Sequence, residues 1–158
     1  MRFAGLSPFA VGSACVFGAS APCATVVFPL RVRVRFPRSP EEASRTRVVD
    51  VRDYDFEGGH VRGCIHRPAS AFYRDEDVDL FLASLPASVD HVIVHCFFSQ
   101  QRGPFVASRI SQRLRAGGAR EGVRVDVLKG GWRAAAREFA DGDPHLCGCD
   151  DGKECAQD

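Results

Sequence analysis

The chain reads as an α/β domain built on a mainly parallel sheet. Short apolar runs of strand type alternate with amphipathic stretches of helical period across residues 46–140. Gly and Pro punctuate the junctions, and no internal repeat competes with this pattern. The 158 residues, 45% hydrophobic and 26% charged, have room for one ordinary core plus tails.

The elements follow in order. The stretch RVRVRF (31–36) alternates strictly and suits a half-exposed edge strand. In SPEEASR (39–45), Ser39 is an N-cap candidate and Pro40 stands at the first helical position. Glu41 and Glu42 fill the first turn, so a helix of a turn or two starts there. RVVDV (47–51) is a buried-strand candidate, followed by the acidic turn RDYDFEGG. HVRGCIH (60–66) reads as a second short extended piece. DEDVDLFLASL (75–85) leads with acids and sets Val78, Leu80, Phe81, Leu82 and Leu85 as a helical apolar face. VDHVIVHC (89–96) is the clearest strand. PFVASRISQRLRAGG (104–118) is an amphipathic helix with Pro104 near its first position and Gly117 and Gly118 ending it. VRVDVL (123–128) alternates as a strand, GGW turns the chain, and RAAAREFA (133–140) forms a last helix.

Three segments follow: a leader (1–40), a folded α/β domain (41–142) and a Cys/His-rich tail (143–158). The leader holds five arginines and no acid, whereas the rest of the chain holds 16 Lys+Arg against 20 Asp+Glu. The arginines are dispersed rather than clustered with aromatic residues, which argues against a nucleic-acid partner. Gly, Ser and Pro break the leader's apolar runs, so no ~20-residue membrane span fits. Two readings of the leader stay open: an organelle-targeting extension, or the loose start of a cytoplasmic or nuclear protein. Seven cysteines is an odd number, and their scatter points to chemistry and metal in a reducing compartment.

The chemistry concentrates in VHCFFSQQRGP (94–104). A strand ends at Cys96, a short loop follows, and a helix starts near Pro104. At the carboxyl end of a strand in an α/β sheet, such a loop is where ligands bind. Backbone N–H groups curled around a point, together with the helix dipole, favour an anion. The same field lowers a cysteine's pKa below its usual ~8.5. Cys96 is then a nucleophile beneath a tetrahedral oxyanion, and Arg102 offers a planar cationic fork to its oxygens. Gly103 permits close backbone approach. Cys-x5-Arg encloses a seven-residue cradle sized for phosphate or arsenate; a tighter loop would suit a single sulfane sulfur. A buried, inert cysteine is the blander alternative, but Arg102, the polar Ser99-Gln100-Gln101 run and the Gly-Pro helix start all sit at the offsets chemistry requires.

HCFFSQQRGP resembles the active-site loop of the rhodanese-fold phosphatases, which comprise the cell-division-cycle dual-specificity phosphatases and the small eukaryotic arsenate reductases. VVDVRDYDFEGGHVRGCIH (48–66), HVIVHC and VDVLKGGWRAAAREF resemble further segments of that family in the same order, so the likeness covers roughly 46–142. It implies a rhodanese-like three-layer domain. It also implies Cys96 as nucleophile, Arg102 as oxyanion clamp, and backbone donors from Phe97, Phe98, Ser99, Gln100, Gln101 and Gly103, with the Ser99 hydroxyl stabilising the thiolate. Asp50, Arg52 and His60 are expected in supporting roles, organising the sheet's active end, and His95 as a packed structural residue. Gln101 stands where the cell-cycle phosphatases often carry an acid, and it cannot donate a proton as a carboxylic acid does. The resemblance therefore points to the arsenate-reducing branch, with glutathione as co-substrate and glutaredoxin as partner, and with phosphatase activity towards phosphotyrosine or phosphothreonine esters at the same site. A thiosulfate-type sulfurtransferase and a non-catalytic module that binds a phosphorylated protein are the rival readings.

In the tail, His145, Cys147, Cys149 and Cys155 form His-x-Cys-x-Cys-x5-Cys, a set able to wrap one structural zinc. Plant members of the resembled family carry a similar Cys-rich loop. A solvated acidic tail with redox-active thiols is the plainer alternative.

Overall fold

The computed structural model describes residues 31–32 (backbone only), 37, 39–117, 120, 122–139 and 144–148. Its elements are β1 (Arg31–Val32), α1 (Pro40–Arg45), β2 (Thr46–Asp50), β3 (His60–Val61), β4 (Ile65–His66), a 3-10 turn (Ala69–Phe72), α2 (Asp75–Ser84), β5 (His91–His95), α3 (Arg102–Arg115), β6 (Arg124–Leu128), α4 (Gly131–Glu138) and β7 (Leu146–Cys147). Among the described residues the central sheet has five strands in the order β1-β6-β5-β2-β4, and every pairing in it is parallel. A separate antiparallel pair joins β3 to β7.

Successive side chains of a strand face opposite ways, and here both faces are covered. Val49, Val92, Val94, Val125 and Val127 bury against α2 and α3, together with Phe81, Leu82, Val106 and Ile110. Val48, Ile93 and Leu128 point the other way and meet Trp132 and Ala135 of α4. These three layers are the rhodanese-like α/β arrangement. Ser39 caps α1, accepting from the Glu42 N–H at 3.2 Å, with Pro40 at the first helical position.

Several boundaries differ from the sequence reading, each for a physical reason. The 60–66 piece divides: Gly63, at φ +68°, turns the chain, so β3 leaves the main sheet while β4 stays in it. On α2 the buried residues are Val78, Phe81, Leu82 and, just past its end, Leu85, an i, i+3, i+4, i+7 stripe; Leu80 lies off that stripe and faces solvent. α3 begins at Arg102, two residues before the expected start, so Pro104 occupies the third helical position. α4 likewise begins at Gly131. Arg31–Val32 form the sheet's edge beside β6, so the sheet takes in residues N-terminal to the boundary at 40. Residues 33–36 of the expected edge strand lie outside the described residues.

The register sets up the site. Asp50 pairs with His95, and Val94 with Val127, so the carboxyl ends of β2, β5 and β6 lie side by side. The loops that leave those three ends, 51–59, 96–101 and 129–130, share one edge of the sheet.

Candidate active site

Cys96 follows the last residue of β5 and is buried. Its own N–H donates to the Ser99 hydroxyl at 3.4 Å, drawing the loop back over the strand end. Ser99 takes φ +51°, the one non-glycine residue in the left-handed region among the described residues. That conformation costs about 1–2 kcal/mol for an L-residue. Here it reverses the chain so that α3 begins three residues later.

Among the described residues, no backbone N–H from Phe97 to Gly103 donates to a protein acceptor. These are the orphan donors of a loop running into a helix start, the kind of arrangement that suits an anion. Gly103 lies close under the cradle: a Cβ there would stand 3.3 Å from the Ser99 hydroxyl and 3.4 Å from the Cys96 nitrogen.

A second element holds the cradle from behind. The N–H groups of Trp132 and Arg133, in the first turn of α4, donate to the carbonyls of Cys96 and Phe97, each at 3.0 Å. Tying those carbonyls outward leaves the loop's N–H groups for the opposite side. Gly131 makes the approach possible, because at φ +61° any Cβ would collide with the Cys96 carbonyl and stand 2.6 Å from that of Phe97. Phe97 is partly buried against the Trp132 side of the core. Phe98 is exposed, with the Arg133 guanidinium 5.3 Å from its ring centre.

The supporting residues form a buried bracket at the end of β2. Arg52 and Asp50 are both fully buried and joined at 2.7 Å. Arg52 also donates to the Asp55 carbonyl at 3.2 Å and the Gly59 carbonyl at 2.8 Å, and its guanidinium lies between the rings of Phe56 and Trp132. Every face of the cation is used, which is what makes its burial tolerable; breaking such a pair typically costs ~3–5 kcal/mol. His60 is buried and stacks on Phe56 at 5.2 Å. His95 is fully buried, 3.7 Å from Asp50. Burial pushes its pKa down despite the Asp50 carboxylate, so it stays neutral.

Arg102 has partners that its place in the motif does not reveal. Its guanidinium donates to both carboxylate oxygens of Asp55, at 2.7 and 2.5 Å, and to Asp53 at 3.1 Å. The Arg102 hydrogen bond holds the Asp55 carboxyl below the usual range, while partial burial pulls the other way. Reciprocally, Asp55 foremost raises the pKa of Arg102, with the Cys96 charge contributing. Both aspartates come from the acidic turn after β2. Its Asp-x-Asp spacing was visible in the sequence, but its contact across 47 residues to the loop arginine was not.

In the tail, His145 is exposed and Cys147 half-buried, with β7 paired to β3. Cys149 and Cys155 lie outside the described residues. No group of three or more His, Cys, Asp or Glu arranged to hold a metal occurs among the described residues.

A central strand of the five-stranded parallel sheet thus leads into a buried cysteine followed by a loop of unpaired N–H groups. The chain belongs to the rhodanese-like domain family, whose model matches residues 38–138. It is 41% identical over 83 residues to the dual specificity phosphatase ibp1 of Schizosaccharomyces pombe, covering 49% of this chain and 51% of that protein. It is 32% identical over 110 residues to the mouse M-phase inducer phosphatase 2, covering 63% of this chain and 18% of that protein. The chain thus spans about half the length of the first relative and under a fifth of the second. Among solved structures, the As-Sb reductase from Leishmania major superposes with a TM-score of 0.59 at 25% identity, covering 68% of this chain and 74% of that one. Ygr203w, a yeast protein tyrosine phosphatase of the rhodanese family, superposes with a TM-score of 0.53 at 28% identity, covering 65% and 76% respectively. The domain is therefore related both to dual-specificity phosphatases and to an arsenate reductase. Among the described residues, no helix is long and apolar enough to cross a membrane.

Proposed function

We propose that the chain is a Cys96-dependent enzyme acting on tetrahedral oxyanions, one that reduces arsenate with glutathione and glutaredoxin and hydrolyses phosphate monoesters at the same site. The observation that carries the proposal is the run of unpaired N–H groups from Phe97 to Gly103, between the Cys96 thiol and the Arg102 fork. Such donors stabilise charge that grows on the oxyanion during attack.

With a phosphate ester, the Cys96 thiolate attacks phosphorus, the ester oxygen departs, and water then hydrolyses the phosphocysteine and releases the thiolate. With arsenate, the thiolate displaces water and forms a Cys96–arsenate adduct. Cys96 and one glutathione then supply two electrons as they join in a mixed disulfide, arsenic leaves as arsenite, and glutaredoxin with a second glutathione restores the thiol.

The test runs two assays on one folded, reduced preparation: arsenate reduction coupled to glutathione and glutaredoxin, and hydrolysis of an aryl phosphate. Turnover in both supports the dual reading. Hydrolysis alone places the chain with the phosphatases, reduction alone with the reductases, and silence in both removes the enzymatic reading.

The tail carries a second proposal. The donor set of His145, Cys147, Cys149 and Cys155 suits a tetrahedral structural zinc, with no position left for a substrate. Elemental analysis of the purified chain should then find one zinc per molecule, and chelation should lower the Tm. A metal-free chain of unchanged Tm contradicts it.

A further inference from the structure

The contact between Arg102 and Asp55 raises a question that the phosphatase reading must answer. Gln101 cannot protonate a leaving group, yet an alkoxide or phenoxide leaves slowly without a proton. Asp55 is the carboxylate seated beside the clamp. It binds both terminal nitrogens of Arg102, while Asp53 binds one and is more exposed, at 36% against 21%. Its position is fixed from both ends. The Asp53 N–H donates to its Oδ1 at 3.1 Å, and buried Arg52 holds its carbonyl at 3.2 Å. The Arg102–Asp55 pair is partly open to solvent whereas Cys96 is buried.

We propose that Asp55 is the proton donor to the leaving group, set free when the substrate's oxyanion takes the Arg102 guanidinium. This rests on the hydrolytic half of the proposed function. As the anion engages Arg102, Asp55 loses its bidentate partner and finds itself beside new negative charge. The charged groups facing its carboxylate are Arg102 from α3 and Asp53 from its own loop; Arg52 reaches only its carbonyl. The strongest influence lowering its pKa is the Arg102 bond itself, and burial opposes ionisation. Removing the first and keeping the second raises the carboxyl's pKa, so that Asp55 takes up a proton from solvent once the anion is bound. As the Cys96–phosphorus bond forms and the phosphorus–oxygen bond breaks, the Asp55 proton passes to the departing oxygen. In the second step the Asp55 carboxylate takes a proton from the attacking water, and when the product leaves and Arg102 pairs with Asp55 again that proton returns to solvent, which closes the cycle. The free enzyme keeps the acid silent through an ion pair, and the substrate itself arms it.

The experiment measures kcat/KM of the full chain and Asp55→Asn across aryl phosphates of rising leaving-group pKa, from p-nitrophenyl to phenyl phosphate. A carboxamide keeps an acceptor for Arg102 but carries no proton to give. The expected result is a loss of about 100-fold or more on phenyl phosphate, a loss under about tenfold on p-nitrophenyl phosphate, and disappearance of the fall in rate at high pH. Asp55→Glu should recover part of the leaving-group dependence, and Asp53→Asn should leave that dependence unchanged. Equal losses on all esters from Asp55→Asn, or none, overturn the proposal, since a purely structural residue would not sense the leaving group. Absence of any hydrolysis by the unaltered chain removes the phosphatase reading and this inference with it, whereas hydrolysis with an unchanged leaving-group dependence removes the inference alone.

Discussion

Arg102→Lys is expected to lower kcat/KM by about 100- to 1,000-fold, the range seen when one donor to a developing oxyanion is lost, while the domain stays folded. Lysine keeps the charge but loses the planar fork that meets two oxygens at once. It also cannot reproduce the geometry with which Arg102 spans Asp53 and Asp55. An Asp55 carboxylate without its bidentate partner would then repel the incoming anion more strongly. Because phosphate and arsenate present the same oxygens, the loss should appear in both assays. Steady-state kinetics, with urea unfolding as the fold control, checks it.

Gly131→Ala is expected to do comparable damage from the far side of the cradle. Alanine at φ +61° is strained, and its methyl would collide with the Cys96 carbonyl. The loop or the start of α4 has to move, which breaks the bonds from Trp132 and Arg133 that hold the Cys96 and Phe97 carbonyls. Displacing a catalytic cradle by about 1 Å can cost 100-fold in rate, so kcat/KM should fall at least that far. Stability should drop by about 2 kcal/mol or more, within the range for a backbone-incompatible substitution. Gly122→Ala is the control. Its φ is +77°, but nothing lies within 4 Å of the added carbon, so it carries the strain without the collision. Its cost should be about 1–2 kcal/mol with activity intact. Equal effects from the two substitutions would show that the Gly131 contact does not hold the cradle.

Both predictions rest on contacts between distant segments, and that is where the sequence was least legible. The alternation of strands and helices, the Ser39 cap, the Val-rich β5 and the Cys96-to-Gly103 loop are all written locally, in side-chain period and turn chemistry. The parallel register is not, yet it is what sets Asp50 beside His95 and brings three loops to one edge. GGW reads as a turn; only the folded chain shows Gly131 pressed against the carbonyls of the cradle. RDYDFEGG reads only as an acidic turn, because nothing in the order of its residues names Arg102 as their partner. The extended piece at 60–66 failed for a similar reason, since a single glycine turn sent its two halves to different sheets.

The central claim is that one thiol performs the chemistry, and Cys96→Ser tests it most directly. The substitution changes one atom at a buried position, so the Tm should stay close to that of the unaltered chain. Arsenate reduction and aryl phosphate hydrolysis should then both fall to background, and the phosphorylated Cys96 peptide expected in quenched reactions of the unaltered chain by mass spectrometry should be missing from the variant. If either activity persists undiminished in the folded serine variant, Cys96 is not the nucleophile and the account of the cradle is wrong.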